Sequence, residues 1–330
     1  MTLQVAPFEV NHLEDAAALV SARYAALRMQ APLLPTHFAD RDVVRDKLAE
    51  LLQTSPGVVA IRQGKVVGLL AAHLLPSFRG RRGVYSPEWA NGAELDDASE
   101  IYQELYRVIA ADWVRNGYLS HALTIFANDH RGREAWHWQG FGLIVADALR
   151  DLSSVKNAPR GCEIRRAVPA DIDDVKRLQL GLRRHLASAP IFLPMQAKWE
   201  HDRYRAWLAA PEVAVWLAYR GGVAVVSMRA EMENDGAGEL VRDGGTVAIT
   251  GAYTEPAERS GGLATALLQH VVDWATEQGA VRISVDFETQ NIDGARFWLR
   301  HFQPVAYSMM RQVDDRILWA YAGREETAYW

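Results

Sequence analysis

Cysteine is almost absent from this sequence: among 330 residues there is one, Cys162. A single cysteine excludes an internal disulfide framework and any zinc site built from several thiolates. Positive charge is also in short supply, since 36 lysines and arginines stand against 41 aspartates and glutamates, for a net charge of -5. Proteins that bind nucleic acid usually carry a concentrated basic surface, so we expect no nucleic-acid partner.

Long apolar runs are missing as well. No stretch reaches the roughly 20 residues that a membrane-spanning helix needs, and the opening MTLQVAPFEV lacks the basic and apolar segments of a signal peptide. We therefore expect a cytoplasmic protein with no membrane partner and no bound metal. The apolar content of 49% and charged content of 23% are ordinary for a globular protein, and the length favours two domains.

The two halves of the chain repeat one pattern at a constant spacing, the distance in sequence from Trp136 to Trp298. Pairs at this spacing are an apolar helical stripe, a glycine that suits a helix end, a short alternating strand and the tryptophan itself: Ile101 and Leu263, Gly117 and Gly279, Leu123 and Val285, Trp136 and Trp298. Such a constant spacing is typical of a duplicated unit.

Earlier segments match at a slightly shorter spacing, as Asp15 and Asp171 do, each suited to a first helical turn. Each half also contains two alternating apolar strands around a glycine turn, which predicts a β-hairpin. We predict a mixed α/β fold in two tandem domains, 1–155 and 160–330, joined near Ser153–Gly161. The alternative is one large α/β domain with chance similarity between its halves.

The segment with the clearest chemistry follows a predicted strand, Thr246–Thr254. Pro256 ends this strand, and Arg259-Ser260-Gly261-Gly262-Leu263-Ala264 then opens an amphipathic helix. A glycine pair lets backbone N–H groups approach a ligand closely, and with the positive end of the helix dipole they suit a pyrophosphate. The loop matches neither a Walker A sequence nor Gly-x-Gly-x-x-Gly, so a dinucleotide fold is poorly supported.

This order of features resembles the GCN5-related N-acetyltransferases (GNAT). Their coenzyme A pyrophosphate loop, Arg-x-x-Gly-x-Gly/Ala, appears here as Arg259, Gly262 and Ala264. The next family element, a strand ending in asparagine followed by a helix with two aromatic residues, is matched by Asn291 and by the pair Phe297 and Trp298. The resemblance covers about residues 246–305, and it implies two GNAT-like domains in tandem.

The resemblance implies acetyl-CoA, or another acyl-CoA, as the cofactor. The residues that would bind it are Ala252, Tyr253, Thr254, Arg259, Ser260, Gly261, Gly262, Leu263, Ala264, Asn291, Phe297 and Trp298. The implied reaction moves the acyl group to an amine, on a small molecule or a peptide, by direct attack in a ternary complex. The protein is expected to be a monomer or a homodimer.

The catalytic groups are less clear from the sequence. The family often carries a tyrosine where Trp298 stands, and that tyrosine can protonate the leaving thiolate whereas tryptophan cannot. Tyr307 is a substitute candidate for the general acid. Deprotonating an amine of lysine-like pKa needs help from a carboxylate or a water relay. The candidate carboxylates are Glu255, Asp286 and Glu288 near the strand ends.

The first half has lost the anion loop. The same repeat spacing leads to a segment with neither glycine nor arginine, in which Asp96, Asp97 and Glu100 would repel a pyrophosphate. The closing element, from Ala135 to Phe141, remains similar to the family. We therefore predict a degenerate N-terminal domain without cofactor.

The acceptor is expected to meet the segment between the first strand and the hairpin of the second half. Its aromatic and apolar residues suit either a pocket or helix packing: His185, Phe192, Met195, Trp199, Tyr204 and Trp207. Two other functions remain open at this point. One is a non-catalytic acyl-CoA-binding sensor or scaffold, and the other is a nucleotide-binding enzyme of another class.

Overall fold

The computed structural model describes residues 3–156, 163–194, 201–232 and 238–318, with the backbone alone at 201 and 202. Cys162, most of the expected linker, Met195 and Trp199 lie outside the described residues. The chain forms two compact units. The first comprises the described residues up to 146, except 33–35, together with those from Val305 onward. The second comprises 33–35 and the described residues from Asp147 to Pro304.

The first unit contains four helices: α1 (Leu13–Gln30), α2 (Arg41–Thr54), α3 (Ala98–Arg115) and α4 (His130–Trp138). Its strands are β1 (Gln4–Pro7), β2 (Gly57–Arg62), β3 (Lys65–Ala71), β4 (His73–Phe78), β5 (Arg81–Ser86), β6 (Asn91–Ala93) and β7 (Ser120–Phe126). The strand β8 (Gly142–Arg150) begins in this unit and ends in the second, and β14 (Gln303–Gln312) enters the first unit at Val305.

The strands of the first unit form two ladders, β1-β2-β3-β6 and β4-β5-β7-β14. Parallel pairing of β5 with β7 beside antiparallel neighbours gives a mixed sheet, as the sequence predicted. The predicted hairpin is β2–β3, and its turn residues Gln63 and Gly64 both have positive φ, 54° and 76°, as a tight hairpin turn of matching twist requires.

The core of the first unit is organised around Trp136, whose side chain is completely buried. Its ring centroid lies 5.2 Å from Tyr102, 5.6 Å from Tyr106 and 5.0 Å from Phe141, in tilted or edge-to-face geometry. Aromatic pairs in these arrangements stabilise a core beyond their buried area. The tryptophan of the repeat is therefore a packing residue in this unit.

A buried ion pair also holds the first unit together. Arg23 on α1 lies 2.6 Å from the carboxylate of Asp129, which is 1% exposed, and it donates to the carbonyl of Ala93 on β6. Asp129 accepts from Tyr102 (3.0 Å) and caps α4 by accepting from the N–H of Gly132 (2.8 Å). Every oxygen of this carboxylate thus has a partner, which a buried charge requires.

The second unit contains α5 (Ile172–Ala187), α6 (His201–Ala209), α7 (Leu263–Glu277) and α8 (Ile292–His301). Its strands are β9 (Glu163–Arg166), β10 (Val213–Arg220), β11 (Val223–Glu231), β12 (Thr246–Thr254) and β13 (Arg282–Glu288), in the sheet order β13-β12-β11-β10-β9. Antiparallel pairing joins β9 to β12 in succession, and β12 pairs with β13 in parallel. The mixed α/β fold is confirmed.

Several local predictions are confirmed in the second unit. The hairpin β10–β11 turns at Gly221 and Gly222, with φ of 56° and 78°. The strand Thr246–Thr254 has the predicted bounds. Gly279 after α7 and Gly117 after α3 both have left-handed φ, 74° and 76°, which suits glycine at a helix end.

The last strand differs from the expected domain order. We expected residues 160–330 to form one consecutive domain, whereas β14 from Val305 onward belongs to the first unit. The reason is its pairing: β14 lies antiparallel to β7, from Ala306 opposite Phe126 to Gln312 opposite Ser120. Seven registered residue pairs fix this placement.

Among the described helices, none is both long and apolar enough to cross a membrane. The expectation of a cytoplasmic location stays a prediction.

The buried pair in the first unit generates a stability prediction. Asp129→Asn keeps the helix cap but leaves Arg23 buried without its counter-charge, so we expect a loss of about 3–5 kcal/mol. Urea unfolding measures the loss. Asp112→Asn, at an exposed pair with Arg115, is the control and should change stability by less than about 0.5 kcal/mol. Equal effects of the two substitutions would contradict the assignment.

Candidate functional site

A cleft of about 430 Å³ lies in the second unit. It is bounded by the end of β12, the loop 255–262, the first turns of α7 and α8, and the end of α5. The side chains and backbone that line it are Leu182, His185, Val226, Ser227, Met228, Ala252, Tyr253, Thr254, Glu258, Arg259, Ser260, Gly262, Leu263, Ala264, Thr265, Asn291, Asp293, Gly294, Arg296, Phe297, Trp298 and Arg300. This volume is typical of small-molecule sites.

The cleft exists because β12 separates from β13. Their registered pairing ends at Ile249 opposite Val285, although β12 continues to Thr254. On its other edge, β12 stays paired with β11 up to Thr254, with a register shift that leaves Thr250 as the extra residue of a bulge. One backbone edge of Ala252–Thr254 therefore faces the cleft and suits a ligand that pairs like an added strand.

The loop between β12 and α7 is shaped for an anion. After a single helical turn at Pro256–Glu258, Ser260 and Gly262 adopt left-handed φ of 65° and 81°. Such alternation turns successive N–H groups toward one point. The first N–H groups of α7, a helix of 15 residues, have no intrahelical acceptor and carry the positive end of its dipole.

Arg259 extends from this loop to two other elements. Its Nη1 lies 3.0 Å from Oδ2 of Asp293 on α8, and its Nη2 lies 3.4 Å from Nδ1 of His185 on α5. Its Nε donates to the carbonyl of Thr254 at 3.4 Å. The Arg259 side chain is 30% exposed, and these three contacts hold its guanidinium at the cleft.

Asn291 joins the start of α8 to the end of α5. Its Oδ1 caps α8 by accepting from the N–H of Gly294 at 3.2 Å. The same oxygen lies 3.1 Å from Nε2 of His185, so this ring nitrogen carries the proton and Nδ1 is free to accept from Arg259. Asn291, His185 and Arg259 therefore form one hydrogen-bonded chain along the cleft.

Both faces of the β11–β12 pair contribute to the cleft. Ser227 and Tyr253 are opposite each other and share the face covered by α5, to which Leu182 and His185 belong. Met228 and Ala252 are the next pair and point to the opposite face. Side chains from both faces of this strand pair therefore line the same cleft.

Tyr253 is fixed by close packing against α5. A Cβ at Gly181 would lie 2.5 Å from the Tyr253 ring, so only glycine fits beneath it. The Tyr253 hydroxyl donates to Glu255 at 3.3 Å. Burial, with the nearby Glu255 carboxylate, raises the pKa of Tyr253, which keeps the phenol protonated at neutral pH.

The aromatic pair on α8 lies at the cleft and also packs internally. Trp298 is buried, with ring centroids 4.8 Å from Phe297 and 5.5 Å from Phe302. Both members of the pair line the cleft. The expected cofactor-binding residues are therefore brought together in one place, except that Gly261 does not line it.

The four candidate catalytic residues lie elsewhere. Glu255 is ion-paired with Arg177 at 3.0 Å, and its carboxylate also accepts from the hydroxyl of Tyr253, a lining residue. Asp286 on β13 is exposed and Glu288 is half-buried, and neither lines the cleft. Tyr307 belongs to the first unit, where it is paired with Ile125 on β7 and lies 5.4 Å from Arg133.

The expected acceptor residues separate into two groups. His185 lines the cleft, whereas Phe192 is 70% exposed and lies outside it. Tyr204 and Trp207 pack edge-to-face at 5.2 Å, and Trp207 stacks on the guanidinium of Arg229 at 3.6 Å. Burial lowers the pKa of Arg229 to about 10. These two aromatic residues are packing residues of the α5–α6 face.

Sequence reasoning missed several lining residues, among them Leu182, Ser227, Met228, Asp293 and Arg296. Leu182 and Ser227 gave no signal, because each reads as an ordinary residue of a helix or strand. Asp293 could have been found from the sequence, because it lies two residues after Asn291, in the first turn of the helix that follows this motif residue. No group of three or more metal-binding side chains occurs among the described residues.

Part of the chain matches a known protein family. Residues 183–302 match the model of the Acetyltransferase (GNAT) family. The match lies wholly within the second unit and includes β12, the anion loop and α8. A search among curated proteins finds no match to the chain.

Solved structures support the fold. A GCN5-related N-acetyltransferase from Sphaerobacter thermophilus aligns with TM-score 0.55 and 13% identity, over 94% of this chain and 95% of that one. A GCN5-related glucosamine N-acetyltransferase region of a fungal multi-domain β-N-acetylglucosaminidase aligns with TM-score 0.52 and 13% identity, over 94% of this chain. The alignment spans 38% of that longer protein.

A tandem GNAT protein from the clavulanic acid biosynthesis pathway also aligns, with TM-score 0.47 and 11% identity, over 94% of this chain and 98% of that one. At such identities the likeness concerns the fold alone. The family match covers residues 183–302 and lies within the second unit, whereas the solved structures show a likeness of fold over most of the chain.

The glycine pair of the loop gives a matched prediction. Gly262→Ala forces a side chain into left-handed φ and should cost about 1 kcal/mol of stability. Gly261 does not have positive φ, and a Cβ there would only touch the Glu258 carbonyl at 3.4 Å. Gly261→Ala should therefore be neutral or slightly stabilising. Thermal unfolding compares the two, and a larger loss for Gly261→Ala would refute this loop geometry.

Proposed function

We propose that the second unit is an N-acetyltransferase that moves an acetyl group, or another acyl group, from acyl-CoA to an amine. The observation that carries this proposal is the open edge of β12 running directly into an anion-binding loop. An extended pantetheine arm suits the first feature, and a pyrophosphate suits the second. Both belong to a cleft of suitable volume.

The chain's own groups fit each part of the cofactor. Backbone groups of Ala252–Thr254 would pair with the arm, and the N–H groups around Gly262 with Arg259 would hold the pyrophosphate. Asn291, Phe297 and Trp298 would lie along the arm. When bound, acyl-CoA supplies the activated thioester. The ordered loop and the fixed Arg259 pre-arrange these contacts, which lowers the entropic cost of binding.

The acceptor would approach from the α5 face. Ser227, Tyr253, Leu182 and His185 form that side of the cleft, which supports direct attack in a ternary complex. The amine, on a small molecule or a peptide, must lose a proton first, since its pKa is near 10.4 for a lysine-like group. Of the candidate bases, Glu255 has the contact that supports a role, through the Tyr253 hydroxyl.

The first unit is proposed to bind no cofactor. At the position of Asn291 it has Asp129, whose carboxylate is paired with Arg23. Arg23 also donates a hydrogen bond to the carbonyl of Ala93 on β6, the strand that corresponds to the end of β12. Asp97 and Glu100 at the corresponding loop are paired with Arg62. Ion pairs and a hydrogen bond within the first unit thus occupy the positions that correspond to the cofactor site of the second unit.

A second candidate function is a non-catalytic acyl-CoA-binding sensor or scaffold. It is favoured by the places of Asp286, Glu288 and Tyr307, which lie away from the cleft lining, and by Trp298 at the position of the family's tyrosine. Calorimetry with acetyl-CoA and transfer assays on a panel of amines and peptide N-termini separate the two. One site per chain with turnover supports the enzyme, and binding without turnover on any acceptor supports the sensor.

A substitution in the first turn of α7 tests the cofactor site. Ala264→Glu suits a helix N-terminus, so the fold should be unchanged or slightly stabilised. Its carboxylate would repel the pyrophosphate, so affinity for coenzyme A should fall about tenfold or more relative to the isosteric control Ala264→Gln. Calorimetry measures both affinities. Equal affinities in the two variants would mean that the pyrophosphate does not lie at this helix.

A further inference from the structure

The guanidinium of Arg259 has all three nitrogens engaged by other groups of the cleft. Nη1 is paired with Asp293 at 3.0 Å, Nη2 is near His185 at 3.4 Å, and Nε donates to the Thr254 carbonyl at 3.4 Å. These partners come from α8, α5 and β12. Arg259 therefore connects three walls of the cleft rather than extending freely from its loop.

Asp293 and a bound pyrophosphate would be two anions beside one guanidinium, that of Arg259. Phosphate oxygens bind a guanidinium best through two parallel hydrogen bonds. Three of the five N–H groups of Arg259 already have acceptors, and one of these acceptors, Asp293, is an anion like the pyrophosphate. The two anions would therefore compete for the same cation. Asp293 is the charged partner and is 62% exposed, so its pair with Arg259 is weak enough to exchange.

The first unit connects the same two segments, the loop before the long helix and the start of the short helix, with the arginine on the helix instead of the loop. At the equivalent positions of the repeat, Asp97 stands on the loop and Arg131 on α4. Arg131 donates to the carbonyls of Leu95 and Asp96, at 3.0 and 2.8 Å. Both units thus tie the loop before their long helix to the start of the following short helix. The two connections differ in the place of the cation. In the second unit the arginine is on the loop, whereas in the first unit it is on the short helix.

We propose that Asp293 competes with the cofactor's pyrophosphate for Arg259, so that binding weakens or replaces the ion pair between Arg259 and Asp293. Asp293 is then a positioning residue that lowers the affinity of the cleft for acyl-CoA. His185 and the Thr254 carbonyl keep the guanidinium near the loop during the exchange. The inference rests on the proposed function, because it takes the cleft to be an acyl-CoA site.

A double-mutant cycle on the full chain tests the competition by calorimetry with coenzyme A. Asp293→Asn should bind about two- to fivefold more tightly, the range expected when an exposed ion pair no longer competes. Arg259→Gln should bind about tenfold more weakly. Asp293→Asn should have no effect in the Arg259→Gln background. A gain that persists there would show direct repulsion by Asp293 and would overturn the proposal.

The charge swap Arg259→Asp with Asp293→Arg is the matched control, since it copies the order of charges in the first unit. It should keep the melting temperature of the parent while losing coenzyme A affinity at least as much as Arg259→Gln. A swap that binds like the parent would overturn the proposal, as would Asp293→Asn that lowers the melting temperature without tightening binding.

Failure of the proposed function is recognisable separately. If the parent chain binds no coenzyme A, the acyl-CoA site itself is refuted and this inference falls with it. If the parent binds coenzyme A but Asp293→Asn binds no more tightly, the site stands and only the competition is refuted.

Discussion

The separation of β12 from β13 after Ile249 is the constraint on which the site depends. Strands that stay paired use their backbone groups on each other, whereas strands that diverge leave one edge open. Here the remaining edge pairing with β11 keeps Ala252–Thr254 extended while the other edge faces the cleft. The anion loop, the start of α8 and the end of α5 then surround that edge.

The two units use one scaffold position for opposite purposes. Asp129 and Asn291 each cap a short helix by accepting from a glycine N–H three residues later. In the first unit the capping residue is a buried carboxylate, and Arg23 neutralises it within the space between strand and helix. In the second unit it is a neutral amide that lines a cleft. One change of side-chain charge thus accompanies a change from internal packing to a proposed ligand site.

The candidate catalytic residues show what local reasoning leaves open. Glu255, Asp286 and Glu288 follow or lie in the expected strands, but position near a strand end does not fix which neighbour a side chain meets. Glu255 forms an ion pair with Arg177 on α5, 78 residues away in sequence. Tyr307 lies in the first unit because β14 pairs with β7, a contact between segments far apart in the chain. Such pairing depends on packing and leaves no local signal.

The sequence by itself determined the repeat, both hairpin turns, the bounds of β12 and the glycine loop that opens α7. These are local features, since glycine at left-handed φ, proline after a strand and apolar periodicity restrict the backbone within a few residues. Only the tertiary structure decided that Arg259 meets Asp293 and His185, that Asn291 meets His185 across 106 residues, and that Arg23 reaches Asp129. Those contacts arise because helices and strands distant in sequence pack together, and the side chains that meet there carry no mark of their partners.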